Sequence, residues 1–224
     1  MLKAILVDID NTLLDFNACT LKAMKECFFE YGLSYREEYY EVFRRINNAM
    51  WEEVEKGTLT VPRLYELRWN TIFKELGIVA DGISFEKKFH RYIETGYEKI
   101  EGAEEFLSYL SEKYYVAAAS NAPYEQQKGR LYSAGLLPFI KELFVSEKIG
   151  AQKPAPEFFD HCIGALGFSR EEIIIIGDSL SADIKGGIAA GIKTCWFNPE
   201  EKALPEGVNP DFQIKKLEEI KKIL

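Results

Sequence analysis

Four short segments of this chain carry side chains that could act together. Asp8-Ile9-Asp10-Asn11-Thr12 sets two carboxylates two residues apart, Gly177-Asp178-Ser179 supplies a third, and Asp183 a fourth. Ser120-Asn121-Ala122 offers a hydroxyl, an amide and backbone N–H groups, and Lys153 stands in Gly150-Ala-Gln-Lys153-Pro154. Carboxylates gathered in one place repel strongly unless a cation sits among them. An all-oxygen donor set with room for water and phosphate suits Mg²⁺ better than zinc. The Ser120 hydroxyl, the Asn121 amide and nearby N–H groups are suited to cradling a phosphoryl group, and an ammonium held between glycine and proline to neutralising it.

Each segment also has a simpler local reading. Asp8 and Asp10 fit Asx turns, Asp178 and Ser120 fit helix N-caps, and Lys153 alone would read as a solvated lysine. A calcium loop starting at Asp8 is disfavoured, because Leu13 stands where such a loop needs glycine. The joint pattern points to a site, because three polar clusters fall at the ends of three predicted strands.

The elements that must position these groups alternate. Lys3–Asp8, Tyr115–Ser120, Leu143–Ser146, Ile173–Gly177 and Thr194–Phe197 are short apolar runs of the kind found in doubly covered parallel strands. Helical stretches over Glu101–Lys113, Tyr124–Gly135, Pro156–Gly167 and Ser181–Gly191 lie between them. Strand–helix alternation predicts an α/β fold with right-handed crossovers, whose chemistry lies beyond the carboxyl ends of the strands. Residues 16–97 break the rhythm and read as about four helices, a small bundle inserted after the first strand. Within it Ser34 with Glu37 suggests a capping box, Thr60 and Pro62 a helix start, Leu76-Gly77 a stop and Ser84 a further cap.

Composition narrows the classes. The chain has 224 residues and a formal net charge of −8, which argues against nucleic acid or an anionic membrane as partner. No apolar run is long enough to span a bilayer, and Asp8 and Asp10 interrupt the N-terminal stretch too early for a signal peptide. Cys19, Cys27, Cys162 and Cys195 are scattered, which suits free buried thiols in a reducing cytoplasm.

Taken together, the four segments resemble the motifs of the haloacid dehalogenase superfamily. Asp8-Ile9-Asp10-Asn11-Thr12 matches its DxDx[TV] motif, Ser120 its second-strand Ser/Thr, Lys153-Pro154 its lysine, and Gly177-Asp178 with Asp183 its acidic fourth motif. The resemblance implies a three-layer Rossmann-like parallel-sheet core over residues 1–15 and 98–224, with a C1-type helical cap over 16–97. It implies Asp8 as nucleophile through an aspartyl-phosphate, and Asp10 as acid to the leaving alcohol and then base to water. Mg²⁺ would be held by Asp8, Asp178 and the Asp10 backbone carbonyl, with Asp183 in support, while Ser120, Asn121 and Lys153 bind the phosphoryl group. Dehalogenation on the same scaffold needs neither a second acid nor a metal, so Asp10 and the Asp178/Asp183 pair favour phosphate ester hydrolysis.

Met50–Thr60, Arg68-Trp69, Thr194–Asn198 and Pro205–Gly207 are similar to the bacterial pyrimidine 5′-nucleotidases of that superfamily, with Ala122 in place of a frequent glycine. The implied substrate is a pyrimidine nucleoside 5′-monophosphate. The alternatives are a small-metabolite phosphatase, for phosphoglycolate or a sugar phosphate, and a non-catalytic binding module. Phe16, Asn17, Trp51 and Trp69 are candidates for contacting a base, with helix packing as the competing role for the aromatics. The expected setting is the cytoplasm, as monomer or homodimer.

Overall fold

The computed structural model describes all residues, 1–224. In chain order the elements are β1 (Ala4–Val7), α1 (Phe16–Glu30), α2 (Glu38–Glu55), α3 (Val61–Leu76), α4 (Gly82–Thr95), α5 (Ala103–Ser111), β2 (Tyr115–Ser120) and α6 (Tyr124–Ser133). There follow β3 (Glu142–Val145), α7 (Ser146–Ile149), α8 (Pro156–Leu166), β4 (Ile173–Gly177), a π-helical segment (Leu180–Lys185), α9 (Gly186–Ala189), β5 (Lys193–Phe197) and β6 (Phe212–Ile214). Two compact units result, one of Met1–Phe16 with Tyr97–Leu224 and one of Asn17–Gly96. No helix is long and apolar enough to cross a membrane, and all four cysteines are free and buried.

The first unit is an α/β fold around a parallel six-stranded sheet of order β3-β2-β1-β4-β5-β6. Side chains alternate between its faces, and each face closes on helices. Ile5, Val7, Val116, Ala118, Ile174 and Ile176 pack with Phe106, Leu107 and Leu110 of α5 and Leu131 of α6. Leu6, Ala117, Ala119, Ile173 and Ile175 pack with Phe158, Phe159 and Cys162 of α8. This explains why β1 and β4 are apolar at every position, since neither strand has a face toward water. Glycines bring α9 close to the sheet and to α8, because a Cβ on Gly187 would lie 2.6 Å from Ile175 Cγ2 of β4 and one on Gly186 2.4 Å from Phe159 Cε2 of α8.

Register carries the strand ends to one level. Val7 pairs with Ala118 on one side and Ile176 on the other. The residues just beyond, Asp8, Ser120 and Asp178, therefore leave the sheet along the same edge.

The second unit is a helical bundle built on aromatic rings. Trp69 is fully buried, stacks on Phe43 at 5.7 Å and packs on Phe85 at 4.3 Å and Phe89 at 5.1 Å. That corrects the reading of Trp69 as a base platform, because a ring enclosed on all sides in the bundle core has no face left for a ligand. Arg68 spans three helices inside this core, with Nε 3.0 Å from Glu86 Oε2 and Nη1 2.8 Å from Asn47 Oδ1.

Several helix limits differ from the sequence reading. Thr60 caps α3 as expected, accepting from Arg63 N at 3.4 Å, and Gly77 ends it at φ 67°. Asp81 rather than Ser84 caps α4, its Oδ1 accepting from Ile83 N at 3.0 Å and Ser84 N at 3.3 Å, because the helix begins at Gly82 and Ser84 already lies inside its first turn. Ser34 and Glu37 form no capping box; the Glu37 carboxylate is taken by Lys25 Nζ at 2.9 Å. The stretch expected as one helix over Ser181–Gly191 divides into the π-helical segment and α9.

Candidate active site

The loop after β1 holds its shape through backbone bonds. Leu13 and Leu14 both donate to Ile9 O at 2.9 Å, and Asn11 takes a left-handed φ of 60°, which asparagine tolerates well. Asp8 stays in line with the strand, its N–H bonded to Ile176 O at 2.9 Å. Buried Thr12 ties this loop to the neighbouring strand end: its Oγ1 accepts from Asp178 N at 3.1 Å and donates to Asp178 Oδ1 at 3.4 Å. On the other side, Trp196 Nε1 donates to Asp178 O at 2.9 Å.

Carboxylate oxygens of Asp8, Asp178 and Asp183 lie within 4.8 Å of one another. Asp183 reaches the cluster because the π-helical turn, with Ile184 N bonded to Ser179 O at 3.1 Å, swings its side chain back toward the strand end. Gly177 makes room for it, since a Cβ there would lie 2.2 Å from Asp183 Oδ2. Lys153 is buried against the cluster, with Nζ 2.7 Å from Asp8 Oδ1, 2.7 Å from Asp183 Oδ1 and 2.8 Å from Ala119 O.

The electrostatics follow from this packing. Burial raises the Asp8 carboxyl from 3.8 to about 7; Lys153 opposes the shift, and Asp183 and Asp10 add to it. Asp178 is raised well above the usual carboxylate range, by burial first and then by Asp8 and Asp183. Burial works against the Lys153 ammonium, but Asp183 and Asp8 outweigh it and hold its pKa above the ordinary lysine value. Three carboxylates facing one ammonium leave a surplus of two negative charges when all are ionised. An all-oxygen cluster with that surplus fits one hard divalent cation.

Ser120 and Asn121 occupy the adjacent strand end. Ser120 Oγ accepts from Ala122 N at 3.1 Å. The Asn121 side chain is committed to Lys153: Oδ1 accepts from Lys153 N at 2.8 Å and Nδ2 donates to Lys153 O at 2.9 Å. That corrects the expectation of Asn121 as a phosphate ligand through its side chain, since both ends of the amide hold the lysine loop. Its backbone N–H remains the group suited to an anion.

Asp10 sits apart from the cluster of three, and its carboxylate is met by two residues of α6 that the sequence reading passed over. Arg130 Nη1 donates to Asp10 Oδ1 at 2.5 Å, and Gln127 Nε2 to Asp10 Oδ2 at 2.6 Å. Gln127 and Arg130 have no exposed surface at all. The available signal was their spacing of three on one helix face directly after the Ser120 strand end. Of the specificity candidates, Phe16 lies under Arg130, 5.8 Å from ring centroid to Cζ. Asn17 accepts through its carbonyl from Tyr40 at 2.6 Å. Trp51 is half-buried on α2.

Comparison with known proteins agrees with this architecture. A family model for haloacid dehalogenase-like hydrolases matches residues 2–191. The HAD-hydrolase YfnB of Bacillus subtilis is 37% identical over 99% of this chain and 95% of its own. Its crystal structure, bound to magnesium, superposes with a TM-score of 0.94, covering 100% of this chain and 98% of that one. The pyrimidine 5′-nucleotidase PynA of Streptococcus pneumoniae is 34% identical over 95% of this chain and 90% of its own. Pyrimidine 5′-nucleotidase YjjG of Escherichia coli is 26% identical over 98% and 96%. Three carboxylates gathered beyond two adjacent strand ends, a lysine buried among them and a family match over most of the chain agree: this protein is a haloacid dehalogenase-like hydrolase.

Proposed function

We propose that this hydrolase is a Mg²⁺-dependent phosphomonoesterase working through an aspartyl-phosphate, with pyrimidine nucleoside 5′-monophosphates as substrates. The observation that carries the reading is the pairing of two differently held carboxylates. Asp8 lies in a cation-demanding cluster beside Lys153, and Asp10 is bound by neutral and cationic donors outside it. A haloacid dehalogenase would need only the nucleophile.

In this proposal Asp8 attacks phosphorus, and the P–O bond to the sugar breaks as Asp10 gives its proton to the departing 5′-oxygen. Asp10 then takes a proton from water as that water attacks the aspartyl-phosphate, releasing inorganic phosphate and restoring the Asp8 carboxylate. Lys153 holds Asp8 in orientation and, with Ser120 and the N–H groups that follow, offsets charge on the transferring group. Asp8, Asp178 and Asp183, with the Asp10 carbonyl, would hold the metal. When bound, Mg²⁺ supplies the charge that keeps these carboxylates ionised and lets an anionic nucleophile approach an anionic ester. The two pyrimidine 5′-nucleotidases matched along nearly their whole length support the nucleotide reading. Phe16, Asn17 and Trp51 are the remaining candidates for contacting the nucleoside.

A substrate panel tests the proposal. UMP, dUMP and dTMP should be hydrolysed with Mg²⁺ and not with EDTA, ahead of phosphoglycolate and sugar phosphates. Asp8→Asn should retain the fold and lose turnover. Undiminished turnover in Asp8→Asn would refute the mechanism, and a preference for phosphoglycolate would refute the substrate class.

A further inference from the structure

We propose that Gln127 and Arg130 are positioning residues that fix the Asp10 carboxylate for proton transfer and couple it to the phosphoryl-binding strand end. The inference rests on the phosphatase reading above and extends it to residues that reading does not use. Each oxygen of Asp10 has its own donor from one face of α6, Arg130 Nη1 at 2.5 Å and Gln127 Nε2 at 2.6 Å. The two donors brace one another, Arg130 Nη1 lying 3.1 Å from Gln127 Oε1. Gln127 Nε2 also donates to Ser120 Oγ at 2.9 Å, so one amide links the Asp10 carboxylate to the strand end that would grip the phosphoryl group.

A carboxylate held by a single bond can rotate about its side-chain torsions. One held through both oxygens by two buried side chains on one helix cannot turn without breaking both contacts. Neither a guanidinium nor an amide changes its protonation state at working pH, so these residues orient the group that transfers the proton. A proton must arrive on the leaving oxygen as its bond breaks, and a misplacement of about 1 Å can cost on the order of a hundredfold in rate. Interactions of this kind matter most for a leaving group that departs poorly without a proton. The 5′-alkoxide of a nucleoside is such a group and p-nitrophenolate is not.

The test is leaving-group dependence in steady-state kinetics with Mg²⁺, on UMP and on p-nitrophenyl phosphate, for wild type, Arg130→Met, Arg130→Lys and Gln127→Leu. Melting temperatures are recorded for each. In Arg130→Met and Gln127→Leu, kcat/KM on UMP should fall about 10–100-fold. The fall should lie in kcat with KM near wild type, and in each variant the loss of kcat/KM on p-nitrophenyl phosphate should be at least about threefold smaller than the loss on UMP. Arg130→Lys, which keeps the charge and loses the planar fork, should recover part of the loss on UMP. Equal losses on both substrates, or a loss on neither, would overturn the proposal, and equal losses with a lowered melting temperature would make the contacts structural only. Should Arg130→Met fail to fold, Gln127→Leu, close in volume and uncharged, decides the same question. Wild-type protein inactive on both esters would instead refute the phosphatase reading, which keeps the two failures apart.

Discussion

Without metal, the candidate site should cost the fold stability as pH rises, and a divalent cation should remove that cost. Asp8 has its carboxyl raised from 3.8 to about 7, chiefly by burial. A carboxyl whose folded pKa exceeds its unfolded one contributes stability that is fully present below pH 3.8 and is lost as pH rises through about 7. A shift of about 3 units corresponds to roughly 4 kcal/mol, of which about 3 kcal/mol is lost between pH 5 and pH 8. At about 2–4 °C per kcal/mol for a chain of this size, that is a fall of roughly 6–12 °C in melting temperature. The Asp178 carboxyl, raised by burial and by Asp8 and Asp183, acts in the same direction. The assay is thermal unfolding of EDTA-treated protein from pH 5 to pH 8, with and without millimolar Mg²⁺. Expected are a metal-free melting temperature that falls across this window and a Mg²⁺ increment clearly larger at pH 8 than at pH 5. A flat or rising metal-free profile, with the same increment at both ends, would sink the argument that these carboxylates are held together against their repulsion.

Three further outcomes follow from the geometry. Lys153→Met leaves Asp8 and Asp183 buried without their shared ammonium; it should abolish turnover and destabilise by about 3–5 kcal/mol, read by denaturant unfolding at pH 8. Gly177→Ala places a Cβ 2.2 Å from Asp183 Oδ2; kinetics should show a sharply raised Mg²⁺ requirement, and an unchanged requirement would count against Asp183 as part of the metal cluster. The aromatic pair in the helical unit should separate cleanly. Trp69→Ala, deep in the bundle core, should cost about 3–5 kcal/mol of stability. Trp51→Ala, at a half-buried position of α2, should cost far less, which denaturant unfolding of the two variants side by side checks.

Much of the site was legible because the motif residues are tied to strand ends. A continuous apolar run stopped by an acid marks a buried strand and its carboxyl end at once, so Asp8 and Asp178 could be placed before any geometry was known. Lys153 could be singled out from its neighbours in sequence, though its burial could not. The inserted helices were legible from the break in strand–helix alternation, and the Thr60 cap from its residue type and the proline that follows.

What the sequence determined was local: residue chemistry at strand ends, the order of the elements, and a charge pattern that disfavours polyanionic partners. What only the tertiary structure decided was which donors meet which acceptors. Asn121 turned out to hold the Lys153 loop, Trp69 to be bundle core, and Gln127 and Arg130 to grip Asp10 from 117 and 120 positions away. The physical reason is that residue type limits what a side chain can bond to, whereas register, helix phase and burial select among those partners. Selection of that kind depends on distances between segments that no spacing along the chain records.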